Sequence, residues 1–332
     1  METWLSFSAA DMAQIRFAAS PMWEVLTSYR MLRAPGEPPV HRRWLEQVRP
    51  RLAETGLDRG WLALLAPPTS YAADLLNPAP QSPFPTLESE LDAIRRTPAE
   101  RVRSELAKLA REDPGLERTP RYRLLHDEPA AMLEKVAAEI ETYWQLALAP
   151  YWARIRQALE ADLFHRARQV AEHGAGQVLS ELHESVTWDD GSLRLVRRHC
   201  GLTRGEYGSG LILIPTAFAW SRVLTVSVEP DPPQLAYPAR GVGTLWEPRP
   251  CAVDAVAGVL GRSRALLLQE LDTPASTSAL ARHFGLSAAG VSQHLTALRD
   301  AGLVTAHRAG RSVLYARTAV ADALLTPSAV AA

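Results

Sequence analysis

The chain has few of the features that stabilise secreted or membrane proteins. Only two of its 332 residues are cysteine, Cys200 and Cys251, which is too few for a disulfide framework and predicts a reducing compartment. No apolar run approaches the roughly 20 residues that cross a bilayer, and the N-terminus lacks the basic-then-apolar pattern of a signal peptide. These absences predict a cytoplasmic protein without a membrane partner.

The chain also lacks an excess of either positive or negative charge. The formal net charge is -1, so no global positive field predicts nucleic-acid binding. From Arg249 onward, however, eight arginines stand against five aspartates and glutamates, which makes this part mildly basic. Lysine is nearly absent, with only Lys108 and Lys135. We attribute that scarcity to coding bias in a GC-rich genome rather than to function.

Composition and hydrophobic pattern predict a mainly α, α+β protein with two domains. The hydrophobic share (47%) and the charged share (22%) are those of a globular chain that can bury substantial cores. Helical patterns dominate to about residue 183, and β-branched runs over 186–246 predict a small antiparallel β section that opens with a hairpin turning at Asp190-Gly191. We place the boundary near Pro248. It separates an N-terminal dimerisation and sensing region, 1–248, from a C-terminal domain, 249–326.

The longest helical pattern runs over Pro129–Glu172, and Pro150 divides it into two helices. Aromatic residues gather around that division. The favoured interpretation is a core at a helix–helix junction, and the alternative is a pocket for an apolar or planar ligand. The residues concerned are Tyr143, Trp144, Tyr151, Trp152 and Phe164.

The C-terminal domain has the pattern of a winged helix-turn-helix. A helix is predicted from Ser276 to Phe284, Gly285 supplies the turn, and Ser287 can cap a second helix that ends at Ala301-Gly302. Its apolar residues recur at helical spacing and predict an inward face of Val291, Leu295 and Leu298. The segment after Gly302, LVTAHRAGRSVLYAR, predicts two strands joined at Ala309-Gly310, which form the wing.

The outward face of the second helix has the chemistry of a DNA recognition surface. Small side chains let the helix backbone approach the groove, Gln293 can pair bidentately with adenine, and Ser292 can reach bases or phosphate. Arginines flank the wing turn, where they suit phosphates or a minor groove. The predicted DNA-binding residues are Ser287, Ala288, Ala289, Ser292, Gln293, His294, Arg308 and Arg311.

The segment TSALARHFGLSAAGVSQHLTALRDAGLVTAHRAGRSVLYA resembles the DNA-binding domain of the ArsR/SmtB family of bacterial repressors. The VSQHL core, the following LRDAGLV and the GRSVLYA wing carry the resemblance. It implies a homodimer that binds an inverted repeat in double-stranded DNA. It also implies that the recognition helix contacts bases and phosphates through Ser287, Ser292, Gln293 and His294. Arg308 and Arg311 fall on the wing of the family's pattern. The long N-terminal extension, which ends in YPARGVGTLW, is similar to that of a group of actinobacterial ArsR-type regulators. This similarity does not indicate which ligand the region would bind.

The metal ligands of the family's best-known members are missing from this chain. The segment STSALARHFG has no cysteine, and TAVADALL offers only Asp322, so no metal and no cofactor is predicted. A group of histidines and acids in the N-terminal region has spacings that do not share one helical face. We interpret these residues as structural or surface groups: His165, Glu172, His173, His183 and Glu184.

Other classes of function remain open for the N-terminal region. An enzyme there lacks support, because no nucleophile-elbow, P-loop or dinucleotide fingerprint occurs, and we predict neither catalytic residues nor an enzyme. A redox sensor would use Cys200 and Cys251, although two ordinary thiols are the favoured interpretation. A protein-binding role is also compatible with the sequence. The predicted function is a DNA-binding transcription regulator, a repressor, with a small-molecule effector of the N-terminal region as its candidate signal.

Overall fold

Helices dominate the computed structural model, which describes residues 2–6, 9–36, 38–68, 70–189, 192–196, 210–219, 222–247, 253–309 and 312–326. The mainly α, α+β prediction is confirmed. No helix in these ranges is long and apolar enough to cross a membrane. The α-helices are α1 Ala9–Ala13, α2 Pro21–Arg33, α3 Arg42–Thr55, α4 Trp61–Leu65, α5 Leu87–Arg95, α6 Ala99–Glu112, α7 Pro120–Asp127, α8 Pro129–Ala147, α9 Trp152–His173, α10 Ala175–Ser180, α11 Val253–Leu260, α12 Arg262–Glu270, α13 Thr277–Phe284, α14 Ala288–Asp300 and α15 Ala319–Leu325. The strands are β1 Glu2–Ser6, β2 Ile15–Phe17, β3 Val186–Asp189, β4 Ser192–Val196, β5 Leu211–Thr216, β6 Leu224–Val226, β7 Gln234–Pro238, β8 Ala275–Ser276, β9 Val304–Ala309 and β10 Ser312–Arg317.

The chain folds into two compact units that do not follow the order of the sequence. The predicted boundary at Pro248 falls at residues outside the described ranges and stays a prediction. Each unit is assembled from three separate segments. The first contains Met1–Pro38, Leu57–Ile140 and Ala158–Gly243, and the second contains Pro39–Gly56, Glu141–Gln157 and Thr244–Ala332.

The first unit holds two small sheets. One has the order β1-β4-β3 and is antiparallel, which confirms the predicted pairing of β3 with β4, although the turn at Asp190-Gly191 lies outside the described residues. The other has the order β2-β5-β7-β6, and β5 runs parallel to both β2 and β7. The prediction of an antiparallel β section is therefore wrong for the pairing of β5 with β7, and it is confirmed for β6, which runs antiparallel to β7.

The parallel pairs have a physical origin in the crossover helices and in the burial of β5. Parallel neighbours need a long crossover, and the helices between β2 and β5 supply one. A strand covered on both faces reads as a continuous apolar run rather than an alternating one. All six residues of β5, LILIPT, are buried, which is the pattern of a covered parallel strand.

Helix α2 brings a buried carboxyl group against the end of β5. The two carboxyl oxygens of Glu24 accept the backbone N–H of Ala217 at 3.1 and 3.2 Å, and burial raises the pKa of Glu24 to about 8. Glu90 accepts hydrogen bonds from Ser20 Oγ at 2.7 Å and from the backbone N–H of Met22 at 2.8 Å, and burial raises its pKa to about 7. Glu24 is therefore a neutral hydrogen-bonding acid in the folded protein near pH 7.

The second unit has its core around α12 and α14, closed by a small antiparallel sheet of order β8-β10-β9. The predicted inward face of α14 is confirmed, because Val291, Leu295 and Leu298 are at most 1% exposed. The two wing strands, β9 and β10, were predicted. Strand β8 was not, since a two-residue strand leaves no periodic pattern to detect.

The junction between α8 and α9 packs against the wing strands β9 and β10 within the second unit. The predicted aromatic core at this junction is confirmed for Tyr143, Trp144 and Tyr151, which are all buried, and the ring centroids of Trp144 and Trp152 lie 4.8 Å apart. The prediction is wrong for Phe164, whose side chain is 63% exposed, because its helical position lies three turns beyond the junction.

One carboxylate ties this junction to the helix-turn-helix. Asp272, just after α12, forms ion pairs with Arg154 of α9 and with Arg317 of β10. Arg317 also lies 2.9 Å from a carboxyl oxygen of Asp322 in α15. The Arg154 and Arg317 side chains are only 10% and 7% exposed, so neither charge can rely on water.

Removing the charge of Asp272 should destabilise the protein strongly. The variant Asp272→Asn keeps the shape of the side chain but leaves two buried guanidinium groups without their shared counter-charge. We expect the free energy of unfolding, measured by urea denaturation, to fall by about 3 kcal/mol. The matched control is Asp300→Asn, which breaks an exposed pair with Arg299 and should cost less than about 1 kcal/mol. Equal losses in the two variants would contradict the structural role of Asp272.

The buried acid in α2 should make stability depend on pH. Because the folded pKa of Glu24, about 8, lies above the ordinary value of 4.5, the folded state keeps a proton that the unfolded state releases, and stability falls as pH rises between these values. Glu24→Gln should remove this dependence. The unfolding free energy of the variant minus that of the natural protein should therefore increase by roughly 2–4 kcal/mol between pH 5 and pH 8. The control Glu54→Gln changes an exposed carboxylate, so its curve of unfolding free energy against pH should run parallel to that of the natural protein. A parallel curve for Glu24→Gln would refute the raised pKa of Glu24.

Candidate nucleic-acid interface

Helices α13 and α14 form a helix-turn-helix whose limits are set by local hydrogen bonds. Ser276 Oγ accepts the N–H of Ala279 at 3.2 Å at the start of α13. Gly285 ends α13 in the left-handed conformation, with φ of 64°, which a glycine adopts at little cost. Ser287 Oγ then accepts the N–H of Gly290 at 3.1 Å and starts α14. The predicted cap at Ser287 and the predicted turn at Gly285 are confirmed.

The residues predicted to contact DNA form a continuous exposed surface at the start of α14. Ala288, Ala289, Ser292 and Gln293 are exposed, and His294 is half-buried beside them. In the described part of the chain, the side chains of Ser292, Gln293 and His294 make no hydrogen bond, so their donors and acceptors are available to a partner. Their contact with DNA stays a prediction.

The N-terminal turn of α14 adds a favourable site for a phosphate. The backbone N–H groups of a first helical turn and the helix dipole both favour a negative charge. Ser287 is exposed and uses its oxygen as the helix cap, which leaves its O–H free to donate. The methyl groups of Ala288 and Ala289 cover little of this end, so a DNA backbone can come close.

The wing places one predicted arginine in solvent. Strands β9 and β10 pair from Val304↔Arg317 to Ala309↔Ser312. Arg308 is exposed and has no ion pair or hydrogen bond among the described residues, which leaves its guanidinium available for a phosphate. Arg311 lies with Gly310 outside the described residues, so its role on the wing stays a prediction.

Sequence reasoning missed a further arginine on the same domain. Arg282 lies exposed in the last turn of α13, and within the described ranges it has neither an ion pair nor a hydrogen bond. In helix-turn-helix proteins the first helix crosses the DNA backbone, where a free guanidinium suits a phosphate. Its position three residues before the Gly285 turn was the signal that could have identified it.

The base of the wing is fixed by contacts with α8, within the second unit. His307 of β9 lies 2.7 Å from Thr305 Oγ1 through Nε2 and 3.4 Å from Gln145 Oε1 of α8 through Nδ1. Burial lowers the pKa of His307, so the neutral ring is favoured. This histidine supports the wing rather than facing a ligand.

The other candidate groups of the sequence analysis do not assemble into a site. Of the residues that the structure describes, no three His, Cys, Asp or Glu side chains are close enough to hold a metal ion. His165 contacts Arg240, and His183 Nδ1 lies 2.8 Å from Ser185 Oγ. Cys200 and Cys251 both lie outside the described residues.

Two family models match separate parts of the chain. A model described as a helix-turn-helix domain matches residues 260–307, which contain α12, α13 and α14. A model described as a family of unknown function, DUF5937, matches residues 103–243. Neither a curated protein nor a solved structure matches the chain. The chain therefore carries a helix-turn-helix domain and is a DNA-binding regulator of transcription.

Proposed function

We propose that the chain is an ArsR/SmtB-type repressor that binds an inverted-repeat operator in double-stranded DNA as a homodimer. The observation that carries this proposal is the surface of Ser292, Gln293 and His294. These polar side chains are without hydrogen-bond partners in the described structure and project from a helix whose opposite face is fully buried. We propose no catalytic activity for the chain.

In the proposed complex, α14 enters the major groove and the flanking arginines contact phosphates. Gln293 reads a base edge, for which the amide's paired donor and acceptor match adenine. Arg282 and Arg308 lie on either side of this helix in the sequence and carry free charge, which suits contacts that position the domain without reading sequence. Repression follows if the operator overlaps a promoter.

Exposed apolar side chains on the first and last helices of the domain support the homodimer. Val259 of α11 is 83% exposed, and Val320 and Leu324 of α15 are 64% and 43% exposed. Helices α11 and α15 contact each other, so these side chains lie on neighbouring elements. We propose that a second copy of the chain covers these three side chains. The resulting homodimer has two recognition helices, which can read the two halves of an inverted repeat when they lie one helical turn of DNA apart.

Substitutions at the interface should separate base reading from phosphate contact. DNA is first selected from a random pool with the full-length protein. Gln293→Ala should weaken binding to the selected sequence at least about tenfold and leave binding to unrelated DNA nearly unchanged. Arg308→Ala should weaken binding to both DNAs and reduce the slope of log K against log salt by about one per protomer. Both effects are measured by fluorescence anisotropy at several salt concentrations.

The control for these variants is Arg118→Ala, at an exposed arginine of the first unit that has no ion pair among the described residues. It should bind both DNAs like the natural protein. Selection of no sequence by the full-length protein at low salt would refute the proposed function. Full retention of sequence preference by Gln293→Ala would refute the role of that residue.

A charge on the exposed apolar helices should break the homodimer. Val259→Glu combined with Leu324→Glu places two carboxylates on the surface that we propose is covered by the second copy. We expect the mass measured by sedimentation to change from that of a dimer to that of a monomer, with a matching loss of operator affinity. Leu124→Glu, at a similarly exposed leucine of α7, should stay dimeric. A natural protein that sediments as a monomer at micromolar concentration would contradict the proposal.

A further inference from the structure

The first unit contains a pocket that the DNA-binding function does not use. Its volume is about 220 Å³, which is below the roughly 300–1,000 Å³ of pockets for drug-sized ligands and therefore suits a small molecule. One wall is a face of α2 with residues at helical spacing, namely Thr27, Arg30 and Met31. The opposite wall comes from the chain after β5 and from β6, with Phe218, Arg222 and Leu224.

The pocket lies at a favoured position in the sheet. Helix α2 follows β2, and the segment with Phe218 follows β5, which is the parallel neighbour of β2. Both walls therefore begin at the carboxyl ends of adjacent parallel strands. In open α/β sheets, ligands bind in the crevice outside these strand ends, because the connecting segments diverge there.

Two arginines line this pocket, and none of its other described lining residues carries a carboxylate. Arg30 is partly buried and donates to the carbonyl oxygens of Ser70, at 2.7 Å, and Pro68, at 3.4 Å, which fixes its guanidinium. Arg222 is exposed and makes no hydrogen bond or ion pair with any described residue. Glu112 attracts Arg30 electrostatically but forms no ion pair with it, and its own carboxylate accepts the N–H of Tyr71 at 2.7 Å.

The described residues that line the pocket therefore supply no negative charge to balance the two arginines. Burial and the nearby charge of Arg222 lower the pKa of Arg30 to about 10, so the Arg30 guanidinium remains positive at pH 7. Two like charges beside a concave surface are stabilised by an anion that both can contact. A guanidinium matches a carboxylate best, because its planar N–H groups pair with both oxygens.

Apart from Thr27, the rest of the lining is apolar, and it defines the other end of the ligand. Met31, Phe218 and Leu224 offer side chains of low polarity, and prolines and alanines complete the wall. An inorganic anion would leave this surface uncovered, whereas a short hydrocarbon or aromatic ring would bury it at a gain of about 25 cal/mol per Å².

We propose that this pocket binds a small apolar monocarboxylate, with its carboxylate between Arg30 and Arg222 and its hydrocarbon or ring against Met31, Phe218 and Leu224. As the effector site of a repressor, the pocket rests on the function proposed above. Ligand binding itself does not, and it can be measured without DNA.

The test uses the full-length protein with benzoate, phenylacetate and 3-methylbutanoate as probes, measured by titration calorimetry. At least one acid should bind saturably with a stoichiometry of one per chain. Its neutral amide (benzamide for benzoate) should bind at least tenfold more weakly, and so should inorganic phosphate. No saturable binding by any of the three acids would overturn the proposal. Equal binding of the amide would refute the role of the arginines, and equal binding of phosphate would refute the apolar part.

Substitutions at Arg222 test whether the acid binds in this pocket. Arg222→Met should weaken binding of the acid at least tenfold. Arg222→Lys should retain more affinity than Arg222→Met, because lysine keeps a positive charge, although it lacks the planar fork of the guanidinium. The residue is exposed, so folding should be unaffected, and the thermal transition checks this. The control Arg118→Met should bind the acid normally, and unchanged binding by Arg222→Met would overturn the assignment.

The same samples separate this proposal from the DNA-binding function. Without added acid, Arg222→Met should bind the selected operator like the natural protein. Loss of acid binding with retained operator binding supports the pocket. A protein that binds the acid but selects no DNA would refute the repressor and leave the pocket standing.

Discussion

The second unit depends on one carboxylate that two nearly buried arginines share. Asp272 faces the guanidinium groups of Arg154 and Arg317, which come from positions far away in the sequence. A buried guanidinium that loses a counter-charge is costly, so the contacts with this carboxylate help to hold these chain segments together. The consequence is that the wing strand β10, the end of α12 and the start of α9 share one anchor.

Helices α13, α14 and α15 of the same unit begin at more local interactions. Side-chain oxygens of Ser276, Ser287 and Thr318 cap α13, α14 and α15, each by accepting an N–H three residues ahead. Such caps need no distant partner and depend only on residue type and spacing. The helix positions are then fixed by the apolar side of α14. The first turn of α14 stays exposed because its outward residues are too small or too polar to add to that core.

This division between local and distant interactions explains what the sequence could predict. Pro150, Gly285 and Ser287 act on their own neighbours, so the break between α8 and α9, the turn and the start of α14 could be predicted from residue type. The parallel pairing of β2 with β5 joins residues about 200 positions apart, and no local pattern specifies it. The contact of His307 with Gln145 spans 162 positions and was likewise invisible. The continuous apolar run of β5 was the one signal for a parallel strand.

Arginine supplies nearly all the positive charge of this chain. The role of each arginine follows from its burial and its partners. Arg154 and Arg317 are buried and paired, so their charge holds the fold together. Arg282 and Arg308 are exposed and without partners among the described residues, which suits a polyanion that approaches from solvent. Arg30 is fixed by backbone carbonyls, which orient a guanidinium without neutralising it. A charge that the fold orients but does not balance is one that a bound anion can stabilise. A net charge of -1 is therefore compatible with the two anion-binding surfaces that we propose.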